Sequence, residues 1–175
     1  MKRAEFEHAI RAAGAVLGVD EVLVIGSQAL HASVTGDLPD EASRSIEVDV
    51  AVPGDSEGRK ADLVDGSIGE ASMFHETFGY YAQGVVESTA VLPEGWRGRL
   101  VRYETPSTNG VVAWCLDPHD LWISKAVASR PKDIEFCNAL LRDGIVVAER
   151  LRERLSEVVD LPSALRSAVA ARIGR

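Results

Sequence analysis

The sequence predicts an α+β fold, a small mixed β-sheet with helices packed on it, followed by a C-terminal helical region. Three observations predict it. The first half alternates helical and strand-like segments in the order αβαβα. Four short stretches rich in β-branched and aromatic residues follow, and from Asp117 onward the pattern is helical. The chain has 175 residues, 46% hydrophobic and 26% charged, which suits one compact unit with a proper core. Residues 1–116 form the sheet-bearing core in this reading and 117–175 the helical region.

The elements follow in order. Phe6, Ala9, Ile10, Ala13 and Val16 are spaced for one apolar helix face, so the first helix spans Arg3 to Leu17 and stops at Gly18. A strand over 22–25, a short helix from Ser27 to about Ala32 and a strand over 46–52 come next, with 36–44 a polar loop and 53–58 turn-rich. Ala61 to Ile68 reads as a helix, whereas Met73–Thr77 is ambiguous. Tyr80–Val86, Thr89–Leu92, Leu100–Tyr103 and Val111–Trp114 read as short, antiparallel-like strands, with turns at Pro93–Gly95 and Pro106–Gly110. Asp117 can cap the next helix, Pro118 suits its first position and Asp120 lies in its first turn. That helix ends at Arg130-Pro131, and two or three more cover about 132–143, 145–157 and 162–173.

Charge and cysteine usage narrow the function classes. A net charge of −8 argues against a chain that coats nucleic acid throughout its length. Residues 1–124 carry 9 Lys/Arg against 20 Asp/Glu, a net of −11, while 125–175 carry 10 against 7, a net of +3. An acidic front and a basic helical tail fit a metal site beside a phosphate-binding surface, although a solvated helix face explains the tail equally well. Lys2, Arg3, Glu5 and Glu7 interrupt the apolar run that a signal peptide needs, and no stretch has the length of a membrane span. Cys115 and Cys137 are isolated and read as buried thiols. A cytoplasmic protein is expected.

The chemistry concentrates in two consecutive strands. Glu21–Ile25 runs into Gly26-Ser27, a strand-to-helix turn whose N–H groups and hydroxyl can hold phosphates. In Ser45–Val52, alternation puts Ile46, Val48, Val50 and Val52 on one face and Glu47 and Asp49 on the other. Two carboxylates on neighbouring same-face positions repel, and a hard divalent cation between them explains the pair.

These residues resemble the nucleotidyltransferase superfamily of the DNA polymerase β type, in which a Gly-Ser or Gly-Gly turn precedes an acid-x-acid strand. Gly26-Ser27 matches the turn, and Glu47 and Asp49 match the acids. The segment Lys125-Ala-Val-Ala-Ser-Arg130-Pro-Lys132-Asp133 looks like the Lys…Arg…Arg-Asp motif of the AbiEii-type toxin nucleotidyltransferases. Lys125 shares a helix face with Leu121, Trp122, Ala128 and Ser129, so it must snorkel to water or meet an anion. The resemblance implies a mixed-sheet core, Mg²⁺ or Mn²⁺ on Glu47 and Asp49, and an NTP held by Gly26, Ser27, Lys125 and Arg130. It implies an acceptor hydroxyl, with a tRNA 3′ end as a candidate, and a cognate antitoxin as a partner. No membrane partner is expected. Asp133 either orients Lys125 or serves as the third acid, for which Glu104 and Glu87 are the other candidates.

Three departures from the family pattern stand out. Glu47 replaces the usual aspartate, the Ser27-to-Glu47 spacing is lengthened by the 36–44 loop, and Phe136 stands where the toxin motif has a further aspartate. Two other readings therefore accompany the transferase: a non-catalytic nucleotide- or partner-binding module, and a small-molecule transferase of the antibiotic-modifying kind. His75-Glu76 lacks the second histidine of a zinc motif, since Gly79 occupies that position. His8, His31 and His119 need no catalytic role. Trp96, Trp114 and Trp122 read as packing residues, and alternation buries one of Tyr80 and Tyr81.

Overall fold

A computed structural model describes residues 1–174. Helix α1 (Arg3–Leu17) buries Phe6, Ala9, Ile10 and Ala13, the stripe its periodicity marks, and closes on Gly18 in the left-handed conformation. Strand β1 (Glu21–Val24) runs into a 3-10 turn at Ser27–Ala32, and the one-turn helix α2 (Asp40–Ser43) sits inside the polar 36–44 loop. Strand β2 (Glu47–Ala51), helix α3 (Arg59–Ile68), helix α4 (Met73–Phe78) and strand β3 (Tyr81–Gly84) follow. The ambiguous 73–77 stretch is helical because Ser72 caps it, accepting from the His75 N–H, and Gly79 ends it. Strands β4 (Val101–Tyr103) and β5 (Val112–Cys115) lead to helices α5 (Pro118–Ala128), α6 (Pro131–Arg142), α7 (Ala148–Ser156) and α8 (Ser163–Ile173).

The five strands make one sheet in the order β3-β2-β1-β5-β4. The sheet is mixed: β1 pairs antiparallel with β2 and parallel with β5, β2 pairs parallel with β3, and β4 pairs antiparallel with β5. The expectation of an antiparallel middle is thus corrected at β3, because α3 and α4 form a crossover that returns it parallel to β2. A second correction concerns Thr89–Leu92. Residues Glu87–Thr89 form a 3-10 turn and the chain then stays irregular up to Pro93, with Val91 exposed. β-Branched residues favour extended backbone, but a strand needs an edge to pair with, and this segment meets none.

One apolar core joins the sheet to the C-terminal helices. Phe6, Ile10, Val22, Leu23, Val48, Leu121, Trp122, Leu140, Leu151 and Ile173 belong to a single buried cluster. Trp122 has no exposure, and its indole N–H donates to the Cys137 carbonyl at 2.9 Å, locking α5 to α6. Both cysteines are free and buried, and burial pushes the Cys137 thiol up to about 12. Tyr80 and Tyr81 are both buried, correcting the expectation of one, since the backbone turns into β3 between them. Among the described residues no helix is long and apolar enough to cross a membrane.

Candidate active site

The site begins where β1 ends. Register pairs Val24 with Val50, and the Ile25 N–H donates to the Asp49 carbonyl at 3.2 Å, so the chain entering the Gly26-Ser27 turn lies beside Asp49. Gly26 has ordinary extended backbone, φ −99° and ψ −172°, and it does not need glycine for its conformation. It needs glycine for space. A Cβ there would fall 1.6 Å from Asp49 Oδ2, so any side chain would displace the carboxylate. Gly26 is therefore the notch into which Asp49 fits, a role additional to any phosphate contact by its amide.

Alternation along β2 buries Val48 and Val50 and leaves Glu47 and Asp49 half-buried on the other face. On the neighbouring strand Tyr81 is the register partner of Glu47, and its hydroxyl donates to Glu47 Oε2 at 3.1 Å. Burial, then the charge and hydrogen bonding of Glu47, push Asp49 up to about 7, against the opposing pull of Lys125 and Lys132. Burial and the Glu47 carboxylate likewise push Tyr81 up to about 12, so it remains a donor. None of the ion pairs among the described residues includes Glu47 or Asp49.

Across from the acids, α5 and α6 supply positive charge. Lys125 lies in the last turn of α5, and Asp133 lies in the first turn of α6. The Asp133 carboxylate is 3% exposed. Its Oδ2 accepts from Arg130 Nε at 2.6 Å and its Oδ1 lies 3.7 Å from Lys125 Nζ. Asp133 also accepts from the Arg130 N–H at 3.3 Å, closing the first turn of α6. Both oxygens are thus turned toward the two cations.

These pieces enclose one cleft of about 350 Å³. Ser27, Glu47, Asp49, Lys125, Arg130 and Asp133 all line it, with Gly26 immediately behind Asp49. Glu104 and Glu87, the other candidates for a third acid, do not line it. Each is paired with an arginine instead, Glu104 with Arg102 and Glu87 with Arg97. Phe136, at the position where the toxin motif has a further aspartate, supplies a buried apolar wall. Among the described residues no group of three or more His, Cys, Asp or Glu side chains could hold a metal ion.

Two carboxylates nevertheless fit a magnesium-like ion. Such an ion binds through one or two carboxylates and completes its octahedron with substrate phosphates and water, and a pair of mutually repelling oxygen donors facing a cleft is the donor set it takes. Sequence reasoning did not single out Lys132, Arg44 or Ser124, which also line the cleft. Lys132 sits inside the Lys125–Asp133 segment and its charge reaches Asp49, a signal that the sequence contained. Arg44 lies in the polar loop and offered no local signal.

Residues 6–166 match the model of a family described as nucleotidyltransferase of unknown function (DUF6036). The chain belongs to this family. The match covers nearly the whole chain and supports both the wider nucleotidyltransferase superfamily and a transferase activity. It carries no information on substrate, metal or a toxin role. No curated protein and no solved structure matches the chain.

The remaining histidines have structural partners or surroundings. His119 is buried, its Nδ1 3.2 Å from Asp117, and its Nε2 accepts from the Val147 N–H. His8 Nδ1 lies 2.6 Å from the Tyr80 hydroxyl. His31 is buried 5.0 Å from the Phe6 ring, and neither ring nitrogen has a partner among the described residues.

Proposed function

We propose that the protein moves a nucleoside monophosphate from an NTP to an acceptor hydroxyl and releases pyrophosphate, with Mg²⁺ or Mn²⁺ held by Glu47 and Asp49. The observation that carries this reading is the convergence of an unpaired carboxylate couple and a lysine–arginine pair on one cleft of nucleotide size. The bound metal would supply charge neutralisation at the phosphates and acidify the acceptor hydroxyl.

The protein's own residues set the geometry. Ser27 donates its hydroxyl hydrogen to one oxygen of the β- or γ-phosphate, while Lys125 and Arg130 screen the phosphate charge. Asp133 acts as the positioning group for both cations, because its oxygens are already turned to them. Tyr81 fixes the longer side chain of Glu47 at the acidic edge. The acceptor oxygen forms a bond to the α-phosphorus as the bond to the α–β bridging oxygen breaks. Pyrophosphate leaves with that electron pair, and the acceptor proton passes to water.

The likeness of the Lys125–Asp133 segment to the AbiEii-type toxins makes a tRNA 3′ end the first acceptor to test and a cognate antitoxin the first partner, in a cytoplasmic setting. One observation favours the alternative of a nucleotide-binding module without turnover: Phe136 and the Asp133 ion pairs leave the cleft with two free acids. Incubation with labelled NTPs, Mg²⁺ and, in parallel, total tRNA, total protein and aminoglycosides separates the readings. The expected result is pyrophosphate release with label in RNA. Label in an aminoglycoside would replace tRNA with a small-molecule acceptor, and NTP binding without pyrophosphate on every acceptor would overturn the transferase.

A further inference from the structure

We propose that Gln28 is a positioning residue for Ser27, holding the serine hydroxyl as an acceptor so that its proton is presented to the cleft. The inference rests on the nucleotide-binding reading of the cleft. Gln28 follows Ser27 in the 3-10 turn and its side chain is fully buried, which is uncommon for glutamine. Its Nε2 lies 2.9 Å from the Ala42 carbonyl oxygen and 3.2 Å from Ser27 Oγ. A backbone carbonyl can only accept, so the group facing Ala42 must be the NH₂ end, which fixes the orientation of the amide. The second N–H of that group is then directed at Ser27 Oγ.

A hydroxyl has one hydrogen to donate and two lone pairs. With one lone pair taken by Gln28, the Ser27 hydrogen is left for an acceptor elsewhere, and Ser27 lines the cleft. A phosphate oxygen is such an acceptor. The Ala42 bond adds a second consequence. Ala42 is in α2, whose neighbours Glu41 and Arg44 line the same cleft, so one amide ties the serine to the rim that faces it. Packing alone does not account for glutamine here. Its Oε1 is buried with no partner among the described residues, an arrangement that methionine of similar volume would avoid.

The test is a double-mutant cycle read by NTP affinity. Mg²⁺ with each of ATP, GTP, CTP and UTP is titrated into wild type, and the tightest triphosphate is carried to Ser27→Ala, Gln28→Met and the double variant. Ser27→Ala and Gln28→Met should each weaken binding roughly three- to tenfold, with the double variant within about twofold of the weaker single. Gln28→Asn, too short to span both partners, should behave like Gln28→Met and serves if the methionine variant does not fold. Wild-type affinity in a folded Gln28 variant, losses that multiply in the double variant, or a Ser27→Ala protein that binds as wild type would each overturn the proposal. Failure of wild type to bind any triphosphate would instead remove the nucleotide reading of the cleft, and the role of Gln28 with it.

Discussion

Two clusters of charge sit toward opposite ends of helix α5 and are resolved in opposite ways. In its first turn Asp120 has no solvent exposure, and its oxygens lie 2.8 Å from Arg99 Nε, 3.0 Å from Arg99 Nη2 and 3.2 Å from Arg154 Nε. Glu157, 3.5 Å from Arg99, balances the second cation. In its last turn Lys125 faces Asp133, while the nearby Glu47 and Asp49 share a cleft and pair with no cation among the described residues. The fold thus neutralises the charge it buries for its own sake. Where it leaves two carboxylates facing each other, no cation among the described residues pairs with them, and burial beside Glu47 pushes Asp49 up to about 7 against the pull of Lys125 and Lys132. His31 shows a third solution, a buried titratable group that stays neutral. Burial foremost, with the nearby Arg3 charge, pushes its pKa down to about 4.

The comparison can be broken at either end of α5, and the largest effect is expected at the acids. Asp49→Ala should lower nucleotidyl transfer by three to four orders of magnitude, roughly 4–5 kcal/mol of transition-state stabilisation, with the fold retained. Release of pyrophosphate that survives this change would place the active site elsewhere. At the other end, Asp120→Ala leaves two arginines without their carboxylate. It should lower stability by about 3 kcal/mol in urea denaturation, toward the low end for a broken buried pair because both arginines can reach water. Activity per folded molecule should be unchanged, and a selective loss of activity would mean that the structural cluster serves the site.

His31 tests the neutral solution. A histidine whose folded pKa lies below its unfolded one contributes stability that is present above the unfolded value, near 6.5, and is lost as pH falls through about 4. Between those limits wild type should lose up to about 3 kcal/mol more than His31→Phe. Equal pH slopes for the two proteins would show that His31 is not buried neutral. A smaller effect is expected at Lys125. Lys125→Ala should weaken NTP binding about ten- to a hundredfold, roughly 2 kcal/mol, without unfolding the protein. Unchanged affinity would make Lys125 a snorkelling surface lysine.

Much of this was legible in the sequence because it is local. The apolar stripe from Phe6 to Ala13, the Asp117-Pro118 helix start and the alternation around Glu47 and Asp49 are written in consecutive residues, and the structure has them in those places. The parallel setting of β3 and the absence of a strand at Thr89–Leu92 depend on which sheet edges are free, which no local pattern states. The same holds within the site. The turn and acid pair were recognisable, but the reason for Gly26 became visible only when Asp49 was seen against its Cα. Tyr81 reaches Glu47 through strand pairing, Arg44 reaches the cleft from the polar loop, and Gln28 is tied across that loop to Ala42, so sequence distance hid these contacts.

The most direct test of the unpaired acid couple is thermal unfolding of wild type and Asp49→Asn, with and without Mg²⁺ and an NTP. If Glu47 and Asp49 await a cation, the metal should raise the wild-type Tm, the metal and NTP together should raise it further, and Asp49→Asn should lose most of both gains. Equal responses in the two proteins would contradict the account.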